Sequence, residues 1–503
     1  MEIDLSRIPN KDQWVAAARE AAGRPDDFEA WEKLVQLTEF LPSLNVKTKY
    51  PVSSRSPAVE RRLVLLAYEN LLVNFPLLEQ YWVNYATWFY TFNDLAGAVE
   101  TFERALLILP QSLLLWNAYL DVQLRINSDN AQMLASFERA REAIGYHYLG
   151  SPFFDKYLLF LKNNRLVREY HLVLRKIIEI PQHDYLKYFK TFLNLIEDAD
   201  LDTIKFLVSK SDLKADFGLT WDDLLRDENL RKLKLELRKK FLDLFITVQY
   251  HSWKFYYFEK NLSTHYFVPN EKLSRLELQT WRSYIEYVET LNLKAATKEK
   301  ELSLIKNNIS LIDTLYSRCL IPAASYPFFW IKLSNYYLNY NDLDSAKLVL
   351  LKGVYLNPVA NLKVRLRLVD LYILSSEFDK ARCLVYESLQ LLPNNLQLFC
   401  KLLEIQHFTQ ASSVSKLIVN KLTEIPKLKN KELEEQFDWL FVEMLDYSCI
   451  TVEKLAQIFE MFKDKKSPHY LKAKKMFHET YKLDGLDPLK AAKIPQGWEC
   501  VYF

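Results

Sequence analysis

The sequence predicts an all-α fold, an α-solenoid of helical hairpin repeats in two arrays joined by a long helix. Three observations predict it. Chain breakers recur with a period near 35: Pro76, Pro110, Gly145 and Pro181 are 34, 35 and 36 residues apart, and Pro322, Pro358, Pro393 and Pro426 are 36, 35 and 33 apart. An offset of 248 carries Trp82 onto Trp330, Asn93 onto Asn341, Asp94 onto Asp342, Leu95 onto Leu343, Ala98 onto Ala346 and Pro110 onto Pro358 without a gap, and a further 35 reaches Ala381 and Pro393. Between breakers the apolar residues follow helical spacing. A fixed period of this length marks helical repeats that cannot bury their apolar faces alone and must stack.

The clearest unit is residues 81–119. Trp82, Tyr85, Phe89 and Phe92 lie at i, i+3, i+7 and i+10 on one helical face. Asn93-Asp94 serves as turn and cap. Leu95, Val99, Phe102, Leu106 and Leu109 form a second stripe, which Pro110 ends by removing a backbone donor and disfavouring a helical residue before it. Trp82, Tyr85, Trp116, Trp281, Trp330, Ala98, Ala346 and Ala381 are therefore expected in the repeat core. Trp14 and Trp31 read as repeat starts within a helical residues 1–40. Residues 41–57, with three prolines and four serines, read as an inserted loop. Helix resumes near 58, and Tyr185–Phe189 opens a weaker unit.

Periodicity fails between about 197 and 275. No Pro or Gly occurs from Leu219 to Val268, and Leu230, Leu233, Leu237, Phe241, Leu244 and Val248 keep three-and-four spacing, so a long helix is expected there. Its polar side carries Arg231, Lys232, Lys234, Arg238, Lys239 and Lys240. This basic cluster reads first as a solvated face, with contact to phosphate or an acidic partner as the alternative. The second array opens at Trp281, is interrupted by the charged 294–303, and runs to Pro426. The expected organisation is a first array at 1–196, a charged linker with the long helix at 197–275, a second array at 276–445, and an irregular C-terminus at 446–503. Its last 20 residues read as an extended tail, either docked on the solenoid or another subunit or left disordered.

Composition excludes several classes. Half of the 503 residues are hydrophobic and 14% aromatic, ample for a continuous core. Eight glycines are too few for a doubly wound nucleotide-binding enzyme. A net charge of +2 gives no global field and demands no nucleic acid. The five cysteines form no C-x-x-C pair and read as buried thiols in a reducing compartment. No apolar run approaches 18 residues and the start lacks a signal-peptide layout, so a soluble intracellular protein with no membrane partner is expected.

No phosphate-binding, dinucleotide, nucleophile-elbow or H-E-x-x-H motif is present, so no enzyme, no cofactor and no metal are expected. The closest histidines, His147, His171 and His183, are spaced 24 and 12 apart and read as surface or satisfied core residues. Glu103-Arg104 and Glu138-Arg139 recur 35 apart, which favours a structural role within or between hairpins. The aromatics are weighed as base-stacking platforms, but their repeat-equivalent places on apolar stripes favour packing.

The opening Tyr81-Trp82-x-x-Tyr85 and the F-E-R-A runs at 102–105 and 137–140 resemble the HAT (half-a-TPR) repeats of RNA-processing proteins. More narrowly, FPLLEQYW (75–82), SLLLWNAYL (112–120), VLRKIIEIPQH (173–183), VQY (248–250), LQTW (278–281) and FWIKLSNYYLNYNDLDSAKLVLLKG (329–353) resemble the pre-mRNA-processing factor 39 family, in its yeast factor 42 branch. The likeness covers about 28–400 and fades after about 410. It implies a nuclear, non-catalytic scaffold subunit of the U1 snRNP in 5′ splice-site recognition. It also implies docking on core proteins of the particle, including its zinc-finger subunit, through 60–196. Pairing with a second copy or a paralogous HAT protein would run through 276–430, with contact to U1 snRNA and pre-mRNA mostly indirect. The alternatives are a scaffold of the mRNA 3′-end cleavage machinery, or a direct RNA binder using 231–240 with Lys463, Lys465, Lys466, Lys472, Lys474 and Lys475.

Overall fold

The structure, a computed structural model, describes residues 11–42, 49–208, 213–214, 217, 221, 227–269, 271–296, 302–359 and 361–481. It divides into two compact units at Ala323/Ala324. The first unit runs from helices Lys11–Gly23 and Phe28–Glu39 through the hairpins of residues 58–207 to the long helix Asp227–Glu259, then Arg275–Ala296 and Leu302–Leu320. The second opens with the hairpins Pro327–Asn339 with Leu343–Leu356, and Lys363–Leu374 with Phe378–Leu391. Shorter helices follow to Tyr481. The two helices of a hairpin pack together, as Glu79–Thr91 does with Leu95–Ile108 and Pro327–Asn339 with Leu343–Leu356, and Glu79–Thr91 also packs on Leu113–Ile126, as Pro327–Asn339 does on Lys363–Leu374. First helices thus stack on first helices, which buries the stripes that one hairpin leaves open.

One local device starts four of these hairpins. Tryptophan is the fourth residue of helices Phe28–Glu39, Glu79–Thr91, Leu113–Ile126 and Pro327–Asn339. The Nε1–H of Trp31, Trp82 and Trp116 donates to the carbonyl of Pro25, Pro76 and Pro110, at 3.1, 2.9 and 2.7 Å. Trp330 donates likewise to Ala324, at 2.8 Å. The acceptor lies in the bend before the helix, where no helical N–H uses it, so a large ring is buried with its one polar atom satisfied. Trp281 departs from this because it is the seventh residue of Arg275–Ala296, and the carbonyl six residues back serves that helix's own ladder. Its ring is buried, and its indole nitrogen has no partner among the described residues.

Within a hairpin the turn is equally regular. Asn93, Arg165, Asn341 and Ser376 adopt φ of 61°, 55°, 59° and 60°. The next amide then reaches back: Asp94 N to Phe89 O at 3.0 Å, and Asp342 N to Tyr337 O at 3.1 Å. Asn tolerates this left-handed conformation better than most residues, and the following Asp caps the second helix. Asp94 Oδ1 accepts from Gly97 N at 2.9 Å and Asp342 Oδ1 from Ser345 N at 3.0 Å. Asn-Asp therefore ends one helix and starts another.

The first stripe places Trp82 and Tyr85 in the core with Phe89 and Phe92 half-buried. The second stripe is corrected by a rotation. Leu95 is exposed, because it is the first helical residue, beside the cap, and the buried face is Ala98, Thr101, Phe102, Ala105 and Leu106. The inserted loop is corrected too: Phe40–Pro42 pairs antiparallel with Lys49–Pro51. Its prolines stand at strand ends, where the missing amide costs little. Residues 43–48 and the tail lie outside the described residues, as does Cys500. Of the other cysteines Cys319 is buried, Cys400 and Cys449 are half-buried, and Cys383 is exposed, which corrects the expectation of uniformly buried thiols.

Ser274-x-x-Glu277 forms a capping box at the start of Arg275–Ala296. Glu277 N donates to Ser274 Oγ (3.1 Å), and Glu277 Oε2 accepts from Ser274 N (3.2 Å) and Oγ (2.9 Å). Oε1 accepts from Ser263 N, Ser263 Oγ and Thr264 N, which closes the preceding loop. Burial opposes ionisation, but these hydrogen bonds prevail and hold the carboxyl at about 2.

Two outcomes follow for stability. Trp82→Ala is expected to cost about 3–5 kcal/mol in a urea melt, while Trp82→Phe, which loses mainly the Pro76 bond, costs less; equal midpoints for Trp82→Ala and the parent would contradict core packing. Glu277→Gln is expected to cost about 1–3 kcal/mol at pH 7. Because the folded carboxyl titrates below its unfolded value of about 4.3, that difference is full above the unfolded value and disappears as pH falls towards 2. Melts of both proteins from pH 7 to pH 3 check it.

Candidate protein-docking surface

Carboxylates and rings link consecutive hairpins. Glu103, on the second helix of one hairpin, accepts from Tyr119 Oη at 2.7 Å and holds Arg139 through two hydrogen bonds of 2.9 and 2.5 Å. The Arg139 guanidinium lies 5.1 Å from the Trp116 ring. One repeat on, Glu138 accepts from Tyr157 Oη at 2.7 Å and from Arg141 at 2.7 Å. Glu103 and Arg139 therefore join neighbouring hairpins, whereas Glu138 and Arg141 pair within one helix: Arg139 holds Glu103 below the usual carboxylate range, and burial with Glu103 pushes the Tyr119 phenol up to about 12. Their chemistry is positional.

The most enzyme-like cluster is sealed. Arg318 Nη1 and Nη2 donate to Glu259 Oε1 and Oε2 at 2.7 and 2.8 Å, with both side chains over nine-tenths buried. The pair ties the end of Asp227–Glu259 to Leu302–Leu320. Burial, then Arg318, push the nearby His147 imidazole well below its usual range, so it stays neutral. Burial pushes the Cys319 thiol well above its usual range, which leaves a poor nucleophile. Among the described residues, no group of three or more His, Cys, Asp and Glu is placed to hold a metal ion. No helix among them is long and apolar enough to cross a membrane.

The structure places Trp82, Tyr85, Trp116, Trp281, Trp330, Ala98, Ala346 and Ala381 in buried positions. Of the basic cluster, Arg231, Lys232, Arg238, Lys239 and Lys240 are exposed and Lys234 is half-buried. Five of the six have partners within their own unit. Lys232 pairs with Glu228 (3.0 Å) and Lys239 with Glu236 (2.8 Å). Lys234 donates to the Glu197 carbonyl (3.0 Å), and Arg238 pairs with the Glu197 carboxylate. The Lys240 ammonium lies 5.8 Å from the Phe217 ring. Lys234 and Arg238 tie the long helix to Tyr185–Asp198, pairings 37 and 41 residues apart that no local pattern announces. Of the C-terminal lysines, Lys465 pairs with Asp438 and Glu434, Lys463 with Glu460 at 3.3 Å and Lys475 with Glu479 at 3.6 Å.

What the second unit leaves outside is apolar. Helix Leu343–Leu356 exposes Leu348, Leu351 and Tyr355 at i, i+3 and i+7, with Tyr355 82% exposed. One repeat later Cys383 and Tyr386 stand at the positions of Leu348 and Leu351, also exposed, while exposed Gln390 takes the position of Tyr355. Unlike scattered apolar residues, a stripe kept in register across two repeats marks a surface for another macromolecule.

Stacked hairpins with a sealed polar interior and an open apolar face define a helical-repeat scaffold. Residues 16–194 match the family described as PRP39 N-terminal HAT repeat, and residues 253–407 match PRP39 C-terminal HAT repeat. The chain belongs to the PRP39 family of HAT-repeat proteins, which are non-enzymatic scaffolds. It is 30% identical over 338 residues to the U1 small nuclear ribonucleoprotein component PRP42 of Saccharomyces cerevisiae, covering 66% of this chain and 58% of that protein. It is 25% identical over 341 residues to pre-mRNA-processing factor 39 of Schizosaccharomyces pombe, covering 65% and 52%. A crystal structure of CSTF-77 superposes with a TM-score of 0.41 at 10% identity, over 81% of this chain and 89% of that one. The chain spans about half the length of the curated relatives it matches.

Arg318→Met alone is expected to cost about 3–5 kcal/mol, because it strands the Glu259 charge. Adding Glu259→Leu should return most of that loss. A double variant as unstable as the single one in urea would show the pair to be a net stabiliser.

Proposed function

We propose that this chain is a nuclear scaffold subunit of the U1 snRNP, acting in 5′ splice-site recognition during early spliceosome assembly. Its first array attaches to core proteins of the particle, including the zinc-finger subunit. Its second array pairs with a second copy or with a paralogous HAT protein. Kinship with PRP39 and PRP42 proteins supports the particle, and the in-register apolar stripe of Leu348, Leu351, Tyr355 and Tyr386 supports the pairing. That stripe is the observation the proposal rests on, since obligate interfaces are more apolar than the rest of a protein surface. Direct RNA binding finds less support, because the basic cluster is largely spent on carboxylates of its own unit.

Light scattering on the purified chain, alone and mixed with a paralogue, tests the pairing. A dimer is expected in at least one setting, and Leu351→Glu with Tyr355→Glu should abolish it with helix content unchanged. A monomer in both settings, or a dimer indifferent to those substitutions, contradicts the proposed face. Affinity purification from nuclear extract should recover U1 RNA with its core proteins, and their absence contradicts the assignment to the particle.

A further inference from the structure

The long helix Asp227–Glu259 carries two apolar faces. Leu233, Leu237, Phe241, Val248 and Phe255 are buried, while Leu242, Ile246, Tyr250, Trp253 and Tyr257 are exposed at three-and-four spacing on another side. Beside that open face lies a groove of about 510 Å³ within the first unit. Tyr148 lines it from the loop before helix Ser151–Asn163, His183 and Tyr185 from the start of helix Tyr185–Asp198, and Tyr250, Trp253 and Tyr256 from the long helix. Trp253 is 61% exposed, an unusual place for an indole that packing does not need.

The groove presents several donors: Trp253 an indole N–H, Tyr185, Tyr250 and Tyr256 phenol O–H groups, and Gln249 an amide, whose oxygens accept as well, while Tyr148 Oη donates to the Ser252 carbonyl at 3.5 Å. Ser252 also lines the groove. It is 3% exposed, and its Oγ is buried without a hydrogen-bond partner among the described residues. A buried hydroxyl in that state lacks about a hydrogen bond's worth of stabilisation, which a ligand acceptor restores. No Asp, Glu, Lys or Arg lines the groove. Lys254 is the nearest cation in sequence, its Nζ 5.5 Å from the Tyr250 ring and 5.3 Å from Trp253. One ammonium is no track for a phosphate backbone, which disfavours single-stranded nucleic acid.

An α-helix is a poor occupant for a different reason. Its backbone carbonyls are used internally, so none can reach Ser252 Oγ or the indole N–H. A polyproline II segment has the complementary chemistry. Its carbonyls are all free acceptors, its prolines donate nothing, and its rings pack on flat aromatic faces at little entropic cost. We propose that this groove is a docking site for a proline-rich segment of another protein, with Trp253, Tyr250 and Tyr256 as ring platforms and Ser252 as the buried donor. The site does not depend on the particle or on the pairing proposed above.

Fluorescence anisotropy of labelled decaproline titrated with the full chain tests it. Saturable binding is expected, weakened at least tenfold by Trp253→Ala and several-fold by Ser252→Ala, and unchanged by Trp439→Ala, whose ring lies in the second unit. Because Trp253 is largely exposed, its variant should keep the parent's urea midpoint, which separates lost docking from lost fold. Absence of saturable binding, or equal affinity in the Trp253→Ala chain, overturns the proposal. So does displacement of decaproline by oligouridylate or by an amphipathic helical peptide.

Discussion

An indole N–H donated to the carbonyl six residues upstream, that of a proline in three of the four cases and of Ala324 in the fourth, is the constraint on which the repeats depend. It fixes the angle at which the chain enters the first helix of a hairpin, and it lets the largest side chain be buried without an orphaned polar atom. Once that ring is seated, the helix face beside it meets the small residues of the next helix. Ala98, Ala346 and Ala381 are fully buried, and a Cβ at Gly353 would stand 3.0 Å from atoms of the Trp330 ring. Large-against-small packing repeated every 35 residues lets the backbones approach, and the stack follows.

The period was legible because its carriers are local: a breaker, a ring six residues on, an Asn-Asp turn. The rotation that exposes Leu95 was not, because a stripe read by spacing alone admits neighbouring faces, and the cap decides which residue falls outside the layer. The bond from Trp82 to Pro76 was legible in principle as P-x5-W, a spacing shared by Pro25/Trp31 and Pro110/Trp116. Recognising it required asking where the indole donor goes. Glu277 was likewise announced by Ser274-x-x-Glu277.

Partners distant along the chain were beyond sequence reasoning. Glu259 and Arg318 are 59 residues apart, and nothing near either marks it as half of a buried ion pair. The basic run at 231–240 illustrates the converse: read alone it resembles a phosphate track, yet Glu197 and the helix's own acids account for much of its charge. Surfaces are the least legible level, because the same apolar residue type serves core and contact face. Leu348 and Leu350 differ only in which side of one helix they occupy, and the fold alone shows that one is exposed and the other buried.

The central claim is that the repeat-start indoles are bonded inside the stack while functional contacts lie outside it. Indole N–H exchange with deuterium, followed by NMR on the native full chain, tests this most directly. The account predicts strongly protected signals for Trp31, Trp82, Trp116 and Trp330 and immediate exchange at Trp253. Rapid exchange at the four repeat starts, at the rate of Trp253, would contradict it.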